Sequence, residues 1–333
     1  FIRFDGVYMD SKVYVNGALA GEWKYGYSAF MFDITDLVKD GENIITVRVD
    51  HHSPNSRWYS GAGIFRKVWL CESPEIRFGN DGIYITTSKQ EDGWQATVKA
   101  EMLRPVGTPL GGIRIRNTIF DKDGKEVASH ESDACGADIS CIPKAVRVKG
   151  VSYSLTAQTM TVKDPELWDI ASPVLYTMVS EILVDGGCVQ RVSQKFGFRT
   201  IKFKCDSGFY LNGRHVKLHG SCEHHDNGCL GAVSNPAAIR RRFKKLRKMG
   251  INAIRTSHNM PAEEFMDIAD ETGMLILSEG FDMWERSKTD YDYARFFDEW
   301  VEKDVASWVR RDRNRPSICL LYTSPSPRDV EES

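Results

Sequence analysis

Three short runs gather the side chains able to do chemistry. His219, Glu223, His224, His225 and Asp226 form the first, Arg255, Ser257, His258 and Asn259 the second, and Glu279, Asp282 and Trp284 the third. Each run follows a short apolar segment, HVKLHG, INAIRT or MLILSE, that reads as a strand. A β/α barrel carries its chemistry on the rim at strand C-termini. An open doubly wound sheet places ligands there too. No glycine-rich phosphate fingerprint accompanies the runs, which disfavours a nucleotide-binding sheet. Arg255 and Glu279 can compensate each other as a buried pair; a ligand-facing Glu279 is the alternative.

The elements between these runs have helical grammar. Asn235-Pro236 supplies an N-cap and a first-turn proline. Ile239, Phe243 and Leu246 then fall on one stripe, and Gly250 ends the helix. Pro261 opens a second helix, with Phe265, Ile268 and Ala269 inward and Gly273 closing it. A third carries Phe297, Trp300, Val301, Val305, Trp308 and Val309 on its inner face, before a fourth strand, SICLL. Alternating strands and helices of these lengths predict parallel crossovers.

Upstream the pattern is all-β. VYMDSKVYVNG alternates and ends in the tight-turn pair Asn16-Gly17; Ile45, Val47 and Val49 alternate again. Residues 76–203 continue as strands punctuated by Asp123-Gly124 and Asp185-Gly186, consistent with an immunoglobulin-like sandwich. Pro165 and Trp168 are expected in a connecting loop.

Lys and Arg number 44 against 46 Asp and Glu in 333 residues, a net charge of −2 that suggests neither a nucleic-acid nor an anionic-membrane partner. The densest basic run, Arg240 to Lys248, is expected on the solvated face of its helix. The eight cysteines show no metal-type spacing. Cys135 and Cys141 could bridge a loop, but free and mostly buried thiols are expected. No window is long and apolar enough to span a membrane. No signal peptide is visible, and the start at Phe1 leads to the expectation that the natural N-terminus lies upstream, leaving the compartment open between cytoplasmic and periplasmic or secreted.

RWYSGAGIFRKVWL (57–70), FGFRTIKF (196–203), FYLNGRHVKLHGSCEHHD (209–226), NAIRTSHNMPAEEFMDIAD (252–270) and RDRNRPSI (311–318) resemble glycoside hydrolase family 2. Its bacterial β-galactosidase branch is nearest, with β-glucuronidases close by and β-mannosidases in the same family. The resemblance implies a jelly-roll β-sandwich over 1–75, an immunoglobulin-like β-sandwich over 76–203, and the first part of a (β/α)8 TIM barrel over 204–318. It also implies a bacterial retaining exo-β-glycosidase acting on a carbohydrate, with a homo-oligomeric parent. Such enzymes need two carboxyl groups about 5–5.5 Å apart, one acid/base and one nucleophile.

By the same resemblance His224 and His258 contact sugar hydroxyls, with Asn259 a weaker counterpart. Asp226 and Asp282 either grip a diol, since a carboxylate accepts several hydrogen bonds, or brace their loops. Trp284 would offer a stacking face to a sugar. Arg57, Trp58 and Tyr59 reach the barrel mouth or, more blandly, make a domain contact. Asp312, Arg313 and Asn314 are expected to brace the fourth strand. Magnesium is a possible ligand of the full-length parent, but its usual ligands are not clearly reproduced, so no metal residue is assigned.

The pattern departs after Ile318. The family's Asn-Glu pair would stand near Pro325 and Ser326; Glu331 and Glu332 match nothing, and Arg315 replaces a usual His. Residues 319–333 are therefore read as unrelated to the family, the chain as a piece incomplete at both ends, and neither catalytic Glu as present. A non-catalytic carbohydrate-binding fragment is the alternative reading. Low activity and self-association are expected of the isolated chain.

Overall fold

In the first domain the strand Ile2–Phe4 pairs antiparallel with Phe30–Phe32 and Val68–Leu70, and Ser11–Val15 pairs with Ala18–Trp23 and Ile45–Val49. The Asn16-Gly17 turn has φ of 51° and 86°, the left-handed geometry that a tight hairpin demands. Val13 and Val15 point into a core with Ile2, Phe4, Val7, Phe30 and Ile34. The computed structural model describes residues 1–136 and 139–322. Pro325, Ser326, Glu331, Glu332 and most of the segment 319–333 lie outside the described residues.

The second domain is a sandwich of two antiparallel sheets. One holds Arg77–Gln90, Gly93–Pro105 and Val151–Val162; the other holds Ile113–Phe120, Glu126–Asp133, Tyr176–Val184 and Gly187–Phe196. Alternate residues such as Ala96, Val98, Ile115, Met178 and Ile182 fill the space between them. Trp168, expected in a loop, is fully buried: its indole donates to Asp270 O at 2.8 Å, and its ring packs against Leu211, Ala253 and Leu275. It joins the sandwich to the third domain.

That domain begins with a small antiparallel sheet, Ile201–Lys204, Gly208–Leu211 and Arg214–His215. Four parallel strands follow, β1 (Gly220–Glu223), β2 (Ala253–Thr256), β3 (Leu275–Glu279) and β4 (Ile318–Tyr322), in the order β1-β2-β3-β4. Helices α1 (Pro236–Lys248), α2 (Glu263–Thr272) and α3 (Phe297–Asp312) connect them. This is the opening stretch of a TIM barrel.

The first parallel strand is thus GSCE, not HVKLHG. Arg214–His215 turns back onto Tyr210–Leu211, and parallel pairing starts only where Gly220 faces Ala253. His219 consequently lies at the N-terminal end of β1, away from the rim. Helix α1 follows expectation: Asn235 Oδ1 caps Ala238 N at 3.0 Å, and Ile239, Phe243 and Leu246 are buried, each contributing roughly 1.5–3 kcal/mol. Helix α2 starts two residues after Pro261, because Ala262 is still extended and acts as the N-cap. At its end Gly273 has φ 68°, and a Cβ there would meet Ile170 O at 2.5 Å, so glycine is required both for conformation and for space.

Helix α3 departs most from its amphipathic reading. Asp304, Arg310, Arg311 and Asp312 are buried beside Trp300 and Trp308, because all three domains close around the helix. Asp304 accepts from Ser28 Oγ at 2.5 Å and Trp23 Nε1 at 2.9 Å in the first domain. Arg310 donates to Glu101 at 2.8 Å in the sandwich. Asn314, just beyond, exchanges two hydrogen bonds with Ile83 O and Ile85 N, continuing the sandwich's edge ladder; Arg313 donates to Asp81 O. Arg313 and Asn314 therefore bind the sandwich rather than the strand, and Asp312 pairs with Arg311 at 2.5 Å, while Arg315, ion-paired with Asp267 and Asp270, steadies the approach to β4.

The cysteines are free, but only Cys319 is buried; Cys135, Cys141, Cys188, Cys205, Cys222 and Cys229 are exposed. Their strand and loop positions face outward, which overrides the average preference of the thiol for the interior. No helix among the described residues is long and apolar enough to cross a membrane.

Candidate functional site

The C-terminal ends of β1, β2 and β3 lie side by side, so parallel pairing alone brings Glu223, Thr256 and Glu279 onto one rim. His258 follows β2. Its Nδ1 lies 3.1 Å from Glu279 Oε2, and Arg255 Nη2 donates to Glu279 Oε1 at 2.9 Å. A carboxylate oxygen accepts, so Nδ1 is the donor to Glu279, and in the neutral form of the ring Nε2 is the acceptor. Glu279 is 5% exposed, and its main chain is fixed by Glu279 N donating to Thr256 Oγ1 at 2.9 Å. Burial alone would lower the Arg255 pKa, but the Glu279 carboxylate outweighs it and raises it. Of the two readings the geometry shows the pair: Glu279 neutralises Arg255 and holds the His258 ring.

The first domain closes the site from above. The Trp58 ring centroid lies 5.0 Å from that of His224 and 5.6 Å from that of His258, and the two imidazoles are 5.7 Å apart. Arg57 donates to both oxygens of Asp282, at 2.6 and 3.3 Å, and Lys288 Nζ adds a third contact at 2.9 Å. Desolvation opposes ionisation of Asp282, but these cations hold its carboxyl below the usual range. Both Asp282 oxygens are committed to bracing. Tyr25 Oη donates to Gly280 O at 2.7 Å and fixes the same loop.

The loop after β1 is fastened by α1. Arg242 donates to Glu223 Oε2 at 3.1 Å, to His224 O at 3.2 Å, to Asp226 O at 3.3 Å, and to Asn227 Oδ1. Arg242 and Arg247 are thus exceptions in the basic run; Arg240, Arg241, Lys244, Lys245 and Lys248 are exposed as expected. Burial, and secondarily His258, pushes the His224 pKa down, favouring a neutral ring. Asp226 is half-buried on this loop. Trp284 is half-buried, its ring 5.5 Å from Phe281 and 5.4 Å from Phe297. Asn259 is 3% exposed and faces a separate cavity with Ser257.

Family models cover the chain in succession. The sugar binding domain of glycosyl hydrolases family 2 matches residues 1–74, the glycosyl hydrolases family 2 model matches 80–199, and the family's TIM barrel domain matches 202–323. The chain belongs to glycosyl hydrolases family 2. It is similar to beta-galactosidase BoGH2A of Bacteroides ovatus, 42% identical over 96% of this chain and 36% of that protein. A beta-glucuronidase of Bacteroides fragilis is 29% identical over 96% of the chain and 46% of its own length. The crystal structure of a family 2 member from Bacteroides cellulosilyticus superimposes with a TM-score of 0.87 and 34% identity, over 99% of this chain and 42% of that one. The chain therefore spans less than half the length of these three family 2 proteins.

Among the described residues of this family 2 chain, no three His, Cys, Asp or Glu side chains converge as metal ligands. The rim carboxylates Glu223, Glu279 and Asp282 are already paired with arginines. These residues do not fit a magnesium ion. Arg57, expected at the barrel mouth or in a domain contact, makes a domain contact there through Asp282, whereas the contribution of Arg242 to the loop after β1 carried no local signal.

Proposed function

We propose that this chain forms the sugar-holding part of a retaining exo-β-glycosidase, with a β-galactoside as the first substrate to test. The observation that carries this reading is the convergence of His224 and His258 under Trp58, with Glu279 setting the His258 tautomer. Two imidazoles with free ring nitrogens beside an indole face suit a ring that has hydroxyls on its edge and C–H groups on its face. His258 Nε2 would accept from one hydroxyl, and His224 would supply a second contact.

The described rim carboxylates are positioning groups in this reading. A general acid needs a carboxyl that keeps its proton near neutral pH. Glu223, Glu279 and Asp282 are each ion-paired with an arginine, and the cations around Asp282 hold its carboxyl below the usual range. The acid/base and nucleophile are therefore assigned to residues other than these, and the chain on its own is expected to bind sugar without cleaving it.

Titration calorimetry with galactose, glucuronate and mannose, alongside a chromogenic β-galactoside assay, tests both parts. Galactose binding that weakens in His258→Ala, without turnover, is the expected result. Turnover by the isolated chain would refute the assignment of the carboxylates; sugar binding indifferent to His258 would refute the site. Arg57 and Lys288, both at Asp282, favour a β-glucuronide as the second reading, and tighter binding of glucuronate would select it. The exposed strip Val68, Trp69 and Leu70 supports a homo-oligomeric parent.

A further inference from the structure

A cavity of about 30 Å³ lies between the first domain and the ends of β1 and β2, lined in part by Arg66, His225, Arg242, Ser257 and Asn259. That volume accommodates one small ion or water. Ser257 and Asn259 are 2% and 3% exposed, yet Ser257 Oγ and Asn259 Nδ2 have no hydrogen-bond partner among the described residues. The same holds for both ring nitrogens of His225 and for His224 Nδ1. Buried polar atoms in folded proteins are almost always hydrogen-bonded. Five unpartnered ones in and around one cavity mark a binding site.

The chemistry of the lining selects the ligand. Asn259 Nδ2 can only donate, Ser257 Oγ can donate, and a neutral His225 offers one N–H. Arg66 is 7% exposed and gives its hydrogen bonds to the main-chain carbonyls of Asp5, Tyr27 and Met260, at 3.4, 2.8 and 2.8 Å. No carboxylate among the described residues forms an ion pair with it. Burial and then Arg311 pull its pKa down to about 10, so it stays charged at neutral pH. Glu223 also lines the cavity, but its oxygens are taken by Ser221 at 3.2 Å and Arg242 at 3.1 Å. Donors lining one cavity beside a buried cation that has no ion pair among the described residues fit an anion better than a water, which would leave the charge as it is.

We propose that this cavity binds a monatomic halide-type anion, chloride in ordinary buffers, held by Ser257 Oγ, Asn259 Nδ2 and a His225 N–H in the field of Arg66. The ion would tie the loop carrying His224 to the one carrying His258, and so link the order of the sugar-facing histidines to halide concentration. This site does not depend on which sugar, if any, the histidines hold.

Bromide replaces chloride and can be located by anomalous scattering. Crystals of the chain soaked in sodium bromide should show an anomalous peak in contact with Ser257 Oγ and Asn259 Nδ2. Density there without anomalous signal would identify a water and overturn the proposal. In solution, thermal melting at constant ionic strength, exchanging gluconate for chloride, should show a saturable rise in Tm. Ser257→Ala should raise the half-effect chloride concentration about tenfold, as expected for losing one hydrogen bond to a charged ligand. Asn259→Asp, which puts a carboxylate against the ion, should abolish the effect. If Asn259→Asp fails to fold, the bromide map and the chloride dependence of the unaltered chain still decide. A Tm indifferent to chloride in the unaltered chain would reject the site.

Discussion

Arg57 and Asp282 are 225 residues apart in sequence and joined by two hydrogen bonds of 2.6 and 3.3 Å, so the sugar binding domain is riveted to the loop that follows β3. The Asp282 side chain is 4% exposed and that of Arg57 41%. Arg57→Ala would leave Asp282 with Lys288 alone. Because Arg57 is half in water, the expected cost is roughly 1–2 kcal/mol, below that of breaking a fully buried pair. Trp58 follows Arg57 directly in the chain and keeps only its own hydrogen bond to Tyr27 Oη at 3.2 Å, so sugar affinity should fall with stability. Urea unfolding and calorimetry on the same variant measure both; an unchanged urea midpoint would mean that the contact contributes nothing.

Glu279 serves Arg255 and His258 together, so Glu279→Gln should act twice. The amide cannot neutralise Arg255, whose side chain is 26% exposed, and a loss of about 2 kcal/mol is expected. The amide can also donate to His258 Nδ1, which would move the ring proton to Nε2 and reverse that atom's hydrogen-bond role. Nitrogen-15 spectra of the imidazole report the tautomer directly. Retention of the Nδ1–H form in the variant would remove Glu279 from the orienting role.

Asp304 offers a pH test of how α3 is held. Burial pushes its carboxyl up to about 7, despite hydrogen bonds from Ser28, Tyr293 and Trp23 and the nearby Lys303. In the unfolded chain it loses its proton near 3.8, whereas the folded state keeps it to about pH 7. Between those values the folded state binds more protons, so its stability falls as pH rises from about 4 to about 7, by up to roughly 4 kcal/mol. Asp304→Asn removes that fall. The Tm difference between the unaltered chain and the variant should therefore shift in favour of the variant from pH 5 to pH 8. Parallel pH profiles would show that Asp304 does not titrate in this range.

Strands β1 and β4 are the edges of the described parallel sheet, and Leu320 and Leu321 on β4 are 38% and 36% exposed. Unpaired edges and exposed apolar side chains template association between chains. The isolated chain should elute as concentration-dependent oligomers, read by light scattering coupled to gel filtration. A monodisperse monomer across a wide concentration range would contradict this.

Much of this molecule is legible locally. The stripe Ile239, Phe243 and Leu246, the Asn235 cap, the Asn16-Gly17 turn and the polar runs after three strands are statements about residues a few positions apart. Backbone geometry obliges such residues to be neighbours whatever the rest of the chain does. That is why the sandwich strands, the helices of the barrel segment and the positions of His224, His258 and Glu279 could be read from the sequence.

Only the tertiary structure decided the rest. Asp304 and Arg310 fall outside the apolar stripe read for α3, yet both are buried because two other domains close over the helix. HVKLHG has a strand pattern, but Tyr210–Leu211 competes for Arg214–His215 and delays β1 to Gly220. Arg242 enters the site from a helix whose basic run reads as a solvated face. Periodicity records which face of an element is apolar; which partner arrives at that face, and which charges it buries there, depends on contacts that no local spacing encodes.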